Sequence, residues 1–205
     1  MAGSSNAGPR QPIRLVAGLG NPGREHAATR HNAGYWFADA LAATLGIAFS
    51  REPKFQGHVA NTADGMRLLK PGTYMNLSGR SVSSLSRFFA LSPDELLVVH
   101  DELDLPPGEA KMKFGGGTAG HNGLRDIAQQ LATQDFWRLR IGIGHPRESS
   151  IPQQDVADYV LAVPSREDRA AIDEAIGRSL DAWPAIRAGD FERAMLLLHT
   201  RRDRA

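Results

Sequence analysis

The chain has 205 residues, 41% of them hydrophobic and 23% charged, a size and make-up that suit one globular domain with a proper core. It has no cysteine, which excludes disulfides, thiolate nucleophiles and cysteine metal sites together. The net charge of +1 points to no particular partner, and no apolar run approaches the roughly 18 residues of a membrane helix; the lack of cysteine leaves the redox compartment open and agrees with the cytoplasmic location expected here.

Residues 1–12 (MAGSSNAGPRQP) lack the apolar centre of a signal peptide and read as a flexible extension, with the folded domain over 13–205. The small net charge hides segregation. Residues 1–93 carry 10 basic and 4 acidic groups, 94–109 carry 6 acidic groups and no Lys or Arg, 110–147 carry 6 basic against 2 acidic, and 148–205 carry 8 basic against 11 acidic. Local basic blocks of this kind serve either a polyanion-binding face or ordinary solvated surface.

In chain order, Ile13–Leu19 is a short apolar run ending in glycine and asparagine, as expected of a buried strand delivering a loop, Gly20–Asn32, to a sheet edge. Ala33–Leu45 is rich in alanine, leucine and aromatics and closes at Gly46, a helix with a glycine stop. Gly57–Ala63 and Met66–Lys70 read as strands joined through Asp64-Gly65, a hairpin dipeptide, and Pro71-Gly72 turns the chain. Ser78 is placed as the cap of a helix carrying Val82, Leu85 and Phe89, followed by a central strand at Leu96–His100.

Ala110–Phe114 alternates, with Lys111 and Lys113 on one side, and Trp137–Ile143 alternates with Arg138 and Arg140 opposite its apolar face. Between them a Gly115-Gly116-Gly117 loop leads into a helix over Asn122–Leu131. Beyond Pro152 the pattern is helical, with stripes at Ile172, Ile176 and Trp183 and at Phe191, Ala194, Met195 and Leu198. Interleaved strands and helices predict a single-domain α/β fold, a mixed sheet covered by helices, with the site in loops at strand ends.

Gly18-Leu19-Gly20-Asn21-Pro22-Gly23 fits the dinucleotide-binding glycine pattern, but no acidic residue ends a second parallel strand, and Asp39 falls inside the helix. A rigid turn is the better reading of the spacing. His31, His100 and His121 sit at element edges beside Asn32, Asp101 and Asn122. A histidine with a carboxylate partner is suited to general-base work near neutral pH, whereas most lone histidines are structural. His100, Asp101 and His121 fit none of the compact metal-ligand spacings, and no Gly-x-Ser-x-Gly elbow supports a serine nucleophile. Asn21, Asn32, Asn76 and Asn122 stand at turns or element starts, where amides both donate and accept. Were their strands neighbours, Lys111, Lys113, Arg138 and Arg140 would form one phosphate clamp; a solvated sheet face is the alternative.

Taken together, LVAGLGNPGREHAATRHNAG at Leu15–Gly34, KPGTYMNLSG at Lys70–Gly79, HDELDLPPG at His100–Gly108, GGGTAGHNGL at Gly115–Leu124 and RLRIGIGHP at Arg138–Pro146 resemble the bacterial peptidyl-tRNA hydrolase family, over Ile13 to about His199. The resemblance implies a monomeric α/β protein, its mixed, mostly parallel β-sheet flanked by helices in three layers of the phosphorylase/hydrolase-like kind, with no cofactor and no metal, that cleaves the ester between peptide and tRNA. It implies His31 as the base that activates water, Asp101 as the carboxylate that orients it, and Asn21 as the group holding ester and water. Asn76 and Asn122 are implied to contact the peptide backbone and tRNA end, with Tyr74, Met75, His121 and His26 as further substrate-contacting residues. Lys113 and Arg140 are implied to hold the terminal 5′ phosphate of the tRNA. His26 stands where the family commonly has tyrosine, and residues 152–162 match a lid over the cleft. The second function class is a catalytically inactive RNA-binding module on the same fold, which would need the basic face but not His31 with Asp101.

Overall fold

The computed structural model describes residues 11–148 and 154–199. The expectation of a tail over residues 1–12 lies outside the described residues for 1–10, while Gln11 and Pro12 are exposed. The elements are β1 (Leu15–Gly18), α1 (Ala33–Leu45), β2 (Ser50–Glu52), β3 (Gly57–Asn61), β4 (Arg67–Pro71), α2 (Ser78–Phe88), β5 (Leu96–Glu102), β6 (Ala110–Phe114), α3 (Asn122–Leu131), β7 (Trp137–Gly142), α4 (Val156–Val160), α5 (Arg166–Asp181), α6 (Trp183–Ala188) and α7 (Phe191–His199).

One seven-stranded sheet has the order β2-β3-β4-β1-β5-β7-β6. The four central strands, β4, β1, β5 and β7, are parallel, and both edges are antiparallel, so the sheet is mixed with a parallel centre. Central parallel strands are covered on both faces, which is why β1 and the first four residues of β5, Leu96–Val99, are uninterrupted apolar runs in the sequence. Alternate residues sort to the two sides. Val16, Leu68, Leu97 and Val99 pack with Phe37 and Leu41 of α1, Ile172 of α5 and Phe191 and Leu198 of α7. Leu15, Ala17, Leu69 and Val98 pack with Val82 and Leu85 of α2 and Leu124 and Ile127 of α3. The result is three layers, with Trp137 of β7 stacked on Phe191 at 3.7 Å between centroids.

Close approach explains the first glycines without a nucleotide. A Cβ on Gly18 would lie 2.3 Å from the carbonyl oxygen of Gly34, and one on Gly34 would lie 2.3 Å from that of Val99. Helix α1 therefore lies directly on β1 and β5, which fixes the loop between β1 and α1 against the end of β5. Ser78 is not a cap: a 3-10 turn over Met75–Leu77 runs straight into α2, and the Ser78 hydroxyl donates to the carbonyl of Met75 at 2.9 Å. The carboxylate of Asp126, from α3, accepts the Gly79 N–H at 2.7 Å instead, tying the two helix starts together. The short strand β2 pairs only with β3 and has no periodicity by which to recognise it. Among the described residues no helix is long and apolar enough to cross a membrane.

Candidate active site

In an open sheet with a parallel centre, loops at the carboxyl ends of the strands converge on one crevice. Here the loop after β1 brings Asn21, His26 and His31, the end of β5 brings His100, Asp101 and Glu102, and the loops before α2 and α3 bring Tyr74, Met75, Asn76, His121 and Asn122. All of them, with Lys113 of β6 and Arg140 of β7, line a cleft of about 1330 Å³. Small-molecule pockets run to about 1,000 Å³, so this one has room for the end of a polymer.

Asp101 is the hub. Its side chain is buried, and both carboxylate oxygens lie 3.0 Å from Nδ1 of His31, while Oδ1 is also 3.0 Å from Nε2 of His121. The Nδ1 of His121 accepts the N–H groups of Gly123 and Leu124 at 3.2 and 3.3 Å, which caps α3. An acceptor nitrogen carries no proton, so the proton of His121 sits on Nε2 and is donated to Asp101. His31 likewise donates from Nδ1, leaving Nε2 as its basic atom in the cleft.

Burial alone would push the Asp101 carboxyl up, but the two imidazoles, by charge and by hydrogen bond, hold it well below the usual carboxylate range. For His31 burial is the largest single influence and lowers the pKa; the charge and hydrogen bond of Asp101 together outweigh it, and the net shift is upward from 6.5. His100 goes the other way. It is completely enclosed, donates from Nδ1 to the carbonyl of Asp101 at 2.7 Å, and is pushed down to about 3 by burial and then by the neighbouring His121. It therefore stays neutral, with its Nε2 buried and unpartnered.

Among the described residues the cluster of metal-ligand type is His31, Asp101 and His121, with ligand atoms within 4.8 Å of one another, and not His100, Asp101 and His121, whose spacing already fitted no metal motif. Successive residues of a strand face opposite ways, so His100 and Asp101 cannot aim side chains at one ion. Even the observed trio is a poor cage, because the capping bonds leave the proton of His121 on the nitrogen that would have to ligate.

Asn21 is held from two sides. Asn32, almost fully buried, accepts the Asn21 N–H at 2.9 Å and donates to the Asn21 carbonyl at 3.0 Å. The side-chain oxygen of Asn21 accepts the Met75 N–H at 2.8 Å. Its amide orientation is thus settled: the oxygen faces Met75 and the NH₂ is left for a ligand in the cleft. Asn76 and Asn122 are exposed on the cleft walls, Tyr74 is 59% exposed at its mouth, and His26 meets the Tyr74 ring edge-on at 6.4 Å.

Strands β6 and β7 pair, with Lys111 opposite Arg140 and Lys113 opposite Arg138, so the four cations do share a face. They are not equivalent, and the stripe needs correcting. Arg138 is buried and donates to the carbonyls of Gly116, Gly117 and Gln134 at 2.5, 2.6 and 3.4 Å, stapling the glycine loop to the sheet. Lys111 lies 3.5 Å from Glu109. Lys113 and the terminal amino groups of Arg140 have no partner among the described residues, and both open on the cleft.

Three supporting residues were not singled out as site residues by sequence reasoning. Asn32 stood out only as one of four turn asparagines and as the neighbour of His31, with no role attached. Glu102, which bonds Arg140, was hidden by its neighbour Asp101. Arg30 stacks over the Tyr159 ring at 4.2 Å and bonds the Val163 carbonyl at 3.3 Å and Asp168 at 3.4 Å, while its N–H bonds the Ala162 carbonyl at 3.1 Å. Those bonds fasten the far end of α4, in the segment expected to be a lid, to the residue preceding His31. The first part of that segment, up to 153, lies outside the described residues.

The family model for peptidyl-tRNA hydrolase matches residues 15–205. The chain is 54% identical over 189 residues to the peptidyl-tRNA hydrolase of Aromatoleum aromaticum, covering 92% of this chain and 94% of that one. It is 52% identical over 193 residues to that of Nitrosospira multiformis, covering 93% and 99%. The crystal structure of peptidyl-tRNA hydrolase from Acinetobacter baumannii at 1.00 Å resolution superposes with a TM-score of 0.85 at 43% identity, over 92% of this chain and 95% of that one. In sequence and in fold alike, the chain belongs to the peptidyl-tRNA hydrolase family.

Proposed function

We propose that this protein hydrolyses the ester joining a peptide, or an N-blocked aminoacyl group, to tRNA, releasing free peptide and reusable tRNA. The observation that carries the reading is the His31–Asp101 pair, buried at its carboxylate end and open to the cleft at the other. In this reaction His31 Nε2 takes a proton from water as the oxygen attacks the ester carbonyl. Asp101 fixes the tautomer and stabilises the imidazolium that forms. The Asn21 NH₂, left over once its side-chain oxygen is taken by the Met75 N–H, donates to the ester and its developing oxyanion. An ester has a good leaving group, so positioned water, a base and amide donors suffice without a covalent nucleophile or a metal. His31 then returns the proton to the departing 3′ oxygen of the tRNA.

Around that centre, Asn76, Asn122, Tyr74, Met75, His121 and His26 form the walls that receive the peptide and the tRNA terminus, and Lys113 with Arg140 holds the 5′ phosphate. A phosphate contact fixes position and carries no base sequence, as suits an enzyme acting on every tRNA. The inactive RNA-binding alternative leaves the buried carboxylate with two imidazoles unexplained. The reading also takes the protein to act as a cytoplasmic monomer. The deciding experiment compares release of N-acetyl-aminoacyl groups from tRNA with release of free aminoacyl groups from the same tRNA. Fast release of the blocked group alone supports the proposal; tight tRNA binding without release makes the protein a binding module.

A further inference from the structure

Of the four cations on the β6–β7 face, Arg140 alone is gripped by a buried carboxylate on the neighbouring strand. Its Nε–H donates to Glu102 Oε2 at 2.8 Å, and Glu102 Oε1 accepts the Asp104 N–H at 3.1 Å. The Glu102 side chain is 9% exposed and that of Arg140 is 23% exposed. Both carboxylate oxygens are thus engaged, and a carboxylate so enclosed cannot turn away from its partner. With Nε–H directed into the protein, the two terminal NH₂ groups of the same rigid plane are left facing the cleft as an open fork.

We infer that Glu102 is a positioning residue for the anion site, one that makes it selective for a terminal phosphate. The inference rests on the tRNA reading above and deepens it. Lys113, Arg140 and Glu102 together carry one net positive charge, whereas without the carboxylate they would carry two. A phosphate monoester is close to a dianion and offers three free oxygens to the fork, while a phosphodiester carries one charge and two free oxygens. Glu102 therefore weakens general attraction to the nucleic-acid backbone and keeps the guanidinium in the one orientation that a chain end can use. Its place in the sequence gives this a structural logic. Asp101 and Glu102 are adjacent on β5 and face opposite sides of the strand, so one rigid strand end sets both the catalytic carboxylate and the phosphate fork at a fixed separation.

The test is the ratio of affinities for deacylated tRNA with a 5′ phosphate and the same tRNA with a 5′ hydroxyl, at one fixed salt concentration. It is measured for the wild-type chain, Glu102→Gln, Arg140→Ala and the double variant, with KM and kcat on the N-acetyl-aminoacyl forms of both tRNAs. In Glu102→Gln the preference for the 5′ phosphate falls on the order of tenfold, the size of one hydrogen bond to a charged group, through KM rather than kcat. In the Arg140→Ala background the same change has no further effect on the ratio. A ratio unchanged or increased in Glu102→Gln, or an equal loss in both backgrounds, overturns the inference. Glu102→Asp, which keeps the charge but withdraws it by one methylene, lowers the ratio too and serves if Glu102→Gln does not fold. No preference for the 5′ phosphate in the wild-type chain would sink the tRNA-end reading itself, a failure distinct from that of Glu102.

Discussion

The side chain of Asn32 grips the backbone of Asn21 through two hydrogen bonds of 2.9 and 3.0 Å, one accepted and one donated. It acts as a strand partner would, in a loop with no strand beside it. Only an amide can fill both roles. In Asn32→Asp one oxygen would face the Asn21 carbonyl, a buried repulsion costing about 1–3 kcal/mol. The expected outcome is a fall in kcat of tenfold or more, because the Asn21 NH₂ shifts in the cleft, together with a lower Tm. Steady-state kinetics with calorimetry check it, and unchanged kcat would remove Asn32 from the site.

His31 must be unprotonated to act as a base, and Asp101 raises its pKa from 6.5. Accordingly kcat/KM should fall as pH drops through a midpoint above 6.5. In Asp101→Asn the charge that raises this pKa is gone while burial remains, so the midpoint should move to lower pH as the rate falls by about 10²–10⁴. A pH–rate profile of the two proteins checks this; a midpoint that stays in place would mean another group titrates.

Stability should respond to the two buried histidines with opposite signs. His100 is about 3 in the folded state against 6.5 unfolded, so the unfolded chain binds the extra proton between those values, and stability is lost as pH falls from about 6.5 toward 3. His31, raised by Asp101, contributes stability that is fully present below 6.5 and lost as pH rises through its folded value. Asp101, depressed by its partners, adds stability above the ordinary carboxylate pKa that is lost in strong acid. His100→Asn, whose amide NH₂ can still donate to the Asp101 carbonyl, should flatten the slope between pH 6.5 and 4 in denaturant titrations. An unaltered slope would place the acid sensitivity elsewhere.

Much of this arrangement was legible in the sequence. The bounds of α1 and β6 follow directly from hydrophobic period and the glycines that close them, α3 from the glycine loop that precedes it although it ends on Ala132 rather than a glycine, and the parallel centre from apolar runs too short for helices. That Lys111, Lys113, Arg138 and Arg140 share one face required only that two alternating strands be neighbours, whereas the antiparallel register that sets Lys113 opposite Arg138 and Lys111 opposite Arg140 is read from the structure. What stayed hidden depends on contacts between residues distant in the chain. That His31 and not His100 joins Asp101 and His121 is decided by which way a strand residue points. That Arg138 is structural and Arg140 available is decided by where the glycine loop folds back. Helix α2 takes its cap from Asp126, 47 residues on, and no local pattern could show that.

Arg138 staples the glycine loop through three backbone carbonyls, so Arg138→Lys, with a point charge in place of a planar fork, should destabilise the protein by about 1–3 kcal/mol. The faster exchange of amides in 115–121 that should accompany it is measurable by hydrogen exchange. Loss of 5′-phosphate preference with no change in stability or loop exchange would instead make Arg138 a ligand-binding residue.

The most direct test of the account is single-turnover hydrolysis of N-acetyl-aminoacyl-tRNA by the wild-type chain and by His31→Ala, alongside the affinity of each for the deacylated tRNA. The account predicts that the variant binds tRNA nearly as tightly but loses at least a hundredfold in rate, the lower end of what a positioned base contributes. Retention of most of the rate in His31→Ala would contradict it.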